Sequence, residues 1–190
     1  MSHVVGIDPS LTNCGVAVLE SDISSELSTA KVTLLRSVGH AGHNADDWAT
    51  RSKRIVTQAR YVLSLIPRDV ELAVIEGPAY GTNLPSTHDR AGLWWGLLSG
   101  LLAAQIPTAV VNPKTRAKWA TGKGNAQKPD VLAAVRNQWP DIRVPNHDCA
   151  DALVMASMGA LWSGWTLPFD VQTWQHNGLE SVTWPERTSA

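Results

Sequence analysis

The sequence predicts an α/β fold: a mixed five-stranded sheet, an antiparallel meander extended by parallel strands, with helices packed on it. Three observations predict it. Three short apolar runs succeed one another near the N-terminus, which is how a meander reads. Strand and helix patterns then alternate, as parallel crossover units require. The fourth apolar run, "ELAVIE", is nonpolar at nearly every position, as expected of a strand covered on both faces.

The elements follow in order. Val4 to Asp8 is a strand stopped by Pro9, and "PSLTN" is a turn by composition. Cys14 to Leu19 and Lys31 to Val38 read as the second and third strands. Asp46 to Ile66 reads as a helix: Trp48, Ile55, Ala59, Val62, Leu63 and Ile66 recur near helical spacing, Asp46 or Asp47 caps it, and Pro67 ends it. Glu71 to Glu76 is the fourth strand. A Gly/Pro-rich loop leads to an apolar helix over Thr87 to Gln105, and Thr108 to Asn112 is the fifth strand. Helices are predicted near Lys114 to Ala120, Lys128 to Trp139 and His147 to Trp162. Residues 1–164 form one domain in this reading. Residues 165–190 read as an irregular tail, docked through Phe169, Trp174 and Trp184.

A chain of 190 residues, 44% hydrophobic and 17% charged, is ample for one core. Its net charge of -1 excludes a bulk polycation, so any nucleic-acid surface must be local. Cys14 and Cys149 make neither a disulfide framework nor a CxxC metal pair. No signal-peptide pattern opens the chain, and the longest apolar stretch is too short to span a bilayer. The expectation is a soluble protein of the cytoplasm, in a bacterial or phage-infected cell, with no membrane partner.

Four acids stand where acids are costly. Asp8 ends the first strand and Glu76 the fourth, while Asp148 and Asp151 open the last long helix. Residues three apart share a helical face, so Asp148 and Asp151 point the same way. If the first and fourth strands are neighbours, all four converge. Clustered carboxylates repel unless cations bind them. Hard oxygen donors suit Mg²⁺ or Mn²⁺, and two such ions can flank a phosphate. Each acid alone has a plainer explanation: a turn cap, a lysine pair, or a first-turn aspartate favoured by the helix dipole. It is the agreement of all four that points to a metal site.

The motifs "GIDPSLTNCGVAVL", "VIEGP", "TGKGNAQKPDV" and "DCADALVMA" together resemble the RuvC-type Holliday junction resolvases, of the RNase H-like, retroviral-integrase superfamily. The likeness runs from about Val4 to Ala160. It implies an RNase H-like fold and a dimeric, Mg²⁺-dependent endonuclease that cuts branched DNA: four-way junctions, with three-way junctions, forks or flaps as further substrates. The family acids fall on Asp8, Glu76, Asp148 and Asp151, and a family basic residue falls on Lys128. Two departures stand out. The family's other lysine falls on Ala117, which leaves Lys118 or Lys114 to take its role. The family's aromatic at the junction crossover falls on Ala79, with Tyr80 next to it.

Between Asn112 and Arg136 six basic residues, Lys114, Arg116, Lys118, Lys123, Lys128 and Arg136, face the single acid Asp130, a net of +5 against -6 for the remainder. Lys114, Arg116, Lys118, Lys123, Lys128 and Tyr80 are therefore the expected DNA contacts. The plainer alternative is a solvated helix surface. His147, beside Asp148, reads as a cap or surface histidine before a proton shuttle. Gly92, Gly96 and Gly100 lie four apart on the apolar helix and form a bare stripe. Three glycines cost helix stability, about 1 kcal/mol each, so they serve close packing, either on the chain's own sheet or across a homodimer. Two rivals to the nuclease are weaker. A non-catalytic branched-DNA-binding protein on the same fold lacks a reason for the intact acids. An actin-like sugar or ATP-binding domain lacks its second phosphate loop.

Overall fold

A computed structural model describes residues 1–21, 29–78 and 86–186. The elements are β1 (Ser2–Asp8), β2 (Cys14–Ser21), β3 (Lys31–Val38), α1 (Trp48–Ser64), β4 (Val70–Glu76), α2 (Thr87–Ala103), β5 (Thr108–Val111), α3 (Pro113–Thr121), α4 (Lys128–Gln138), α5 (His147–Trp162) and α6 (Thr173–Leu179). The sheet order is β3-β2-β1-β4-β5. β1 pairs antiparallel with β2, and β2 with β3. β4 joins β1 in parallel, and β5 joins β4 in parallel. The mixed five-stranded sheet expected from the sequence is therefore the fold.

Side chains alternate across a strand, and the alternation sorts the core into two layers. Val5, Ile7, Val16, Ala73 and Ile75 face α1 and α2. Val4, Ala17, Leu19, Leu72 and Val74 face α5 and the helices around it. Fully burying one such side chain is worth roughly 1.5–3 kcal/mol.

α5 is the central helix of the second layer, buried from Cys149 through Ala160 on every side. Two glycines set its height over the sheet. A Cβ on Gly6 would lie 2.0 Å from the Ala152 carbonyl oxygen, and one on Gly15 would lie 2.0 Å from that of Asp148. Only a residue without a side chain admits the helix backbone so close. Asn146 caps α5, accepting from the Cys149 N–H at 2.9 Å, and its amide donates to Ser37 Oγ at 2.9 Å. The helix start is thus tied to β3.

α1 is capped by Asp47, which accepts from the Thr50 N–H at 2.7 Å; Asp46 instead accepts from His43. The glycine stripe of α2 faces α1, with Gly92 exposed and Gly96 and Gly100 half-buried. Cβ atoms on Gly92, Gly96 and Gly100 would meet Ile55, Ala59 and Leu63 of α1. Of the two packings expected, on the chain's own sheet or across a homodimer, the stripe makes neither here: it is a seam with α1 within the chain. The outer face of α2 carries Trp95 and Leu102, 60% and 57% exposed.

The tail differs from the irregular segment expected. It contains α6, and Trp165, Leu167 and Val182 belong to the same core as α5. Phe169 sets its ring edge-on to Trp119 and Trp139, and Trp184 stacks on Trp162 at 5.1 Å. Large flat side chains compensate for an otherwise polar segment. Trp174 is half exposed beside Gly122. No described helix is long and apolar enough to cross a membrane.

Candidate active site

The parallel register pairs Ile7 with Ile75. The next residues, Asp8 and Glu76, therefore end adjacent strands side by side. Alternation puts both on the α5 face, in step with Val4 and Leu72. Asp148 and Asp151 arrive from above because Gly6 and Gly15 let α5 down onto β1 and β2. All four acids line one cleft of about 930 Å³. The structure brings together the acids that the sequence singled out, at the carboxyl ends of parallel strands, where open α/β sheets place their sites.

Arg116 joins them. It stands on α3, only 7% exposed, and its Nε donates to Glu76 Oε1 at 2.6 Å. Its second nitrogen donates to Asp151 Oδ1. One guanidinium thus bridges a strand end and a helix start. Arg116, expected among the DNA contacts of an exposed basic face, is instead a buried member of the acid cluster. The reason is helix phase. Arg116, Ala117, Trp119 and Ala120 are the buried positions of α3, spaced as one helical face. Lys114 and Lys118 stand on the opposite, exposed face. Neither lines the cleft. The cation in the cluster is therefore one residue before the position where the resemblance located it.

The electrostatics follow from burial and crowding. Burial first, then the charges of Glu76 and Asp151 and a hydrogen bond with Glu76, push the Asp8 carboxyl well above its usual range; Arg116 pulls it back. Burial raises Asp151 to about 6, against the lowering pull of Arg116 and then of Lys128. Burial works against the Arg116 charge, but Glu76 and Asp151 outweigh it and hold the guanidinium protonated. Four carboxylates against Arg116 and Lys128 leave a net of -2 on this wall.

Lys128 opens α4. Its Nζ lies 4.0 Å from Asp148 Oδ1, and its side chain is 64% exposed to the cleft. His147 turns its Nδ1 to the Lys128 carbonyl oxygen at 3.1 Å, so it braces the start of α4 and does not line the cleft. Lys123 is exposed in the loop between α3 and α4. Gly122 in that loop has φ 79° and caps α3, which accounts for a glycine there without invoking phosphate. Arg136 donates to the Val144 carbonyl oxygen at 2.8 Å and so staples α4 to the loop before α5. Tyr80 and Ala79 lie outside the described residues.

A second wall of the same cleft was not expected. Arg51 and Arg54 of α1 and Asp89 and Arg90 of α2 line it. Arg51 holds Asp89 with contacts of 2.7 and 3.0 Å, and Arg54 reaches the same carboxylate at 3.2 Å. Three arginines against one acid leave a net of +2. Trp48, 75% exposed, lies under the Arg51 guanidinium at 4.5 Å. A signal for this wall existed. Two arginines in the first turns of a helix oppose its dipole, and such cations need another reason to be there.

Comparison with known proteins agrees with this geometry. No model of a known protein family matches the chain. The crossover junction endodeoxyribonuclease RuvC of Bifidobacterium longum subsp. infantis is 32% identical over 162 residues, spanning 83% of this chain and 78% of that one. The RuvC of Chlamydia trachomatis serovar L2 is 29% identical over 162 residues, spanning 80% and 88%. Among solved structures, Thermus thermophilus RuvC superposes with a TM-score of 0.64 at 22% identity, over 85% of this chain and 95% of that one. The yeast mitochondrial Holliday junction resolvase Ydc2 superposes with a TM-score of 0.53 at 15% identity, over 93% and 81%. These structural likenesses speak for the fold, and the sequence identities speak for descent. The chain belongs to the RuvC family of crossover junction endodeoxyribonucleases.

Proposed function

We propose that this chain is a divalent-metal-dependent endonuclease that hydrolyses phosphodiesters in branched DNA, four-way junctions foremost. The observation that carries the reading is the register-fixed meeting of Asp8 and Glu76 with Asp148 and Asp151 at one end of the cleft.

The donor chemistry fits Mg²⁺ or Mn²⁺. Four carboxylates converge with surplus negative charge, and two of them are driven towards protonation when no such ion shares the site. Asp8, Glu76, Asp148 and Asp151 would hold the ions, two per site. When bound, such ions activate water and stabilise the departing oxygen. The remaining work belongs to the chain. Lys128 extends into the cleft beside Asp148 and is placed to hold a phosphate oxygen. The wall of Arg51, Arg54 and Arg90 gives the cleft a cationic side along which a phosphate backbone can run. Lys114, Lys118 and Lys123 extend that surface outside the cleft. The protein acts as a homodimer, so that two sites meet the two equivalent strands of a junction, and works in the cytoplasm. The exposed Trp95 and Leu102 face of α2 supports an interface there; a monomer by light scattering would contradict it.

One observation favours a second reading, a non-catalytic junction binder. Among the described residues no three His, Cys, Asp or Glu side chains form a ready metal cage. Arg116 fills the centre instead. A cleavage panel of linear, forked, three-way and four-way DNA with Mg²⁺ separates the two. Cutting of branched DNA, reduced about 100- to 1000-fold by Asp8→Asn or Glu76→Gln with binding retained, establishes the nuclease. Binding without cutting in either Mg²⁺ or Mn²⁺ establishes the scaffold.

A further inference from the structure

Arg116 stands where a nuclease of this design needs a cation. Its guanidinium is buried and contacts two of the four carboxylates, Glu76 from β4 and Asp151 from α5. It is not a surface charge that wandered in. Arg116 lies on the inward face of α3 with Ala117, Trp119 and Ala120, and its backbone N–H is in the first turn's hydrogen bond to Asn112. α3 is fixed at that end by the Asn112 cap and Pro113, and at the other by Gly122. The helix therefore delivers the guanidinium to the acids as part of the fold.

We infer that Arg116 is the resident cation of the acid cluster, and that a divalent ion is taken up by exchange with it. This rests on the reading of the four acids as metal ligands. The argument is one of charge and lone pairs. A guanidinium offers five donors in a planar fork and is never deprotonated. One oxygen of each carboxylate, Glu76 Oε1 and Asp151 Oδ1, is bonded to it. A divalent ion drawn to the same two carboxylates brings twice the charge and repels the guanidinium between them, so the two do not share the position. Arg116 then leaves Glu76 and Asp151 and turns into the cleft it already lines. There the same fork matches the oxygens of a phosphate. Arg116 is thus a positioning residue when the metal is absent and a phosphate ligand when it is present. The exchange makes ion uptake weaker than four free carboxylates would allow, and couples it to arrival of an anion that can receive the arginine.

The test reads binding, not turnover. Mn²⁺ is titrated into the wild type, Arg116→Met, Arg116→Lys and Asp8→Asn, followed by calorimetry. Removing a competing charge-assisted pair should tighten Mn²⁺ binding about tenfold or more in Arg116→Met. Arg116→Lys, which keeps the charge but cannot span both carboxylates, should fall between. Equal or weaker Mn²⁺ binding by Arg116→Met, with wild-type binding intact and lost in Asp8→Asn, overturns the exchange and leaves the metal site standing. No Mn²⁺ binding by any of the four overturns both. Should Arg116→Met not fold, the wild type alone still decides. The Arg116 Nε–H, bonded to Glu76 at 2.6 Å, should exchange slowly with solvent in metal-free protein and quickly in saturating Mg²⁺. Slow exchange retained in Mg²⁺ overturns the inference.

Discussion

The two walls of the cleft are mirror images. On one, a single arginine, Arg116, is clasped by the carboxylates of Glu76 and Asp151. On the other, a single carboxylate, Asp89, is clasped by the arginines Arg51 and Arg54. Each lone group belongs to a buried position, and each leaves its wall with charge to spare. The difference lies in one partner on each side. Asp151 is 3% exposed, whereas the Arg51 side chain keeps 23% of its surface; Arg54 and Asp89, at 11% and 9%, are about as deep as Arg116 at 9%. The Arg116–Asp151 pair is costly to break, because the abandoned partner stays buried; of the two arginines on Asp89, only Arg51 relaxes into solvent. The acid wall is therefore the more brittle at that pair, and it is also the wall proposed to hold the chemistry.

The largest effect expected from breaking this contrast is on stability without metal. Arg116→Met leaves Glu76 and Asp151 buried beside Asp8 with no guanidinium, and should cost about 3–5 kcal/mol in urea unfolding. Mn²⁺ should return part of that loss. Asp89→Asn, which keeps an amide oxygen for the partly hydrated Arg51 and the more buried Arg54, should cost less, about 1–3 kcal/mol, and Mn²⁺ should return none of it. Equal losses for the two variants would erase the distinction between the walls.

A second effect sharpens the geometry of the acid wall. Gly15→Ala puts a methyl group 2.0 Å from the Asp148 carbonyl oxygen, so α5 must lift from the sheet. The cost should be about 1–3 kcal/mol, with a loss of cleavage larger than the loss of stability implies. Wild-type cleavage with wild-type melting would mean that the height of α5 does not set the site.

The acid wall should also reveal itself through pH. The Asp151 pKa is raised in the fold, from an ordinary 3.8 to about 6. The native state then holds a proton that the unfolded chain has released. Its contribution is fully present below about pH 4 and is lost as pH rises through about 6, a swing of about 3 kcal/mol. Metal-free protein should therefore melt lower at pH 7 than at pH 5 on this account, and Mg²⁺ should reverse the trend at pH 7. The smallest effects belong outside the cleft. Lys118→Ala and Lys123→Ala should leave stability within about 0.5 kcal/mol, while each lowers the salt dependence of junction binding by about one phosphate contact.

The sequence by itself determined five strands, five of the helices and the four acids of the site, but not α6. Short apolar runs placed the strands, and an acid at the end of such a run, as at Asp8 and Glu76, is legible because burial makes it costly. The three-residue spacing of Asp148 and Asp151 is legible because helix geometry is local. Tertiary structure alone decided the rest. Which strands are neighbours, and so whether Asp8 meets Glu76, is a matter of sheet order. Whether Gly92, Gly96 and Gly100 face α1 or another molecule depends on what lies across the groove. Arg116 reads as surface among Lys114, Lys118 and Lys123, because a run of charge conceals helix phase; only the packing of Ala117, Trp119 and Ala120 shows which way it turns. Local rules fix the direction of a side chain from its own backbone. The partner it meets there is supplied by residues far along the chain, and here those partners turned a basic residue into the centre of an acid site.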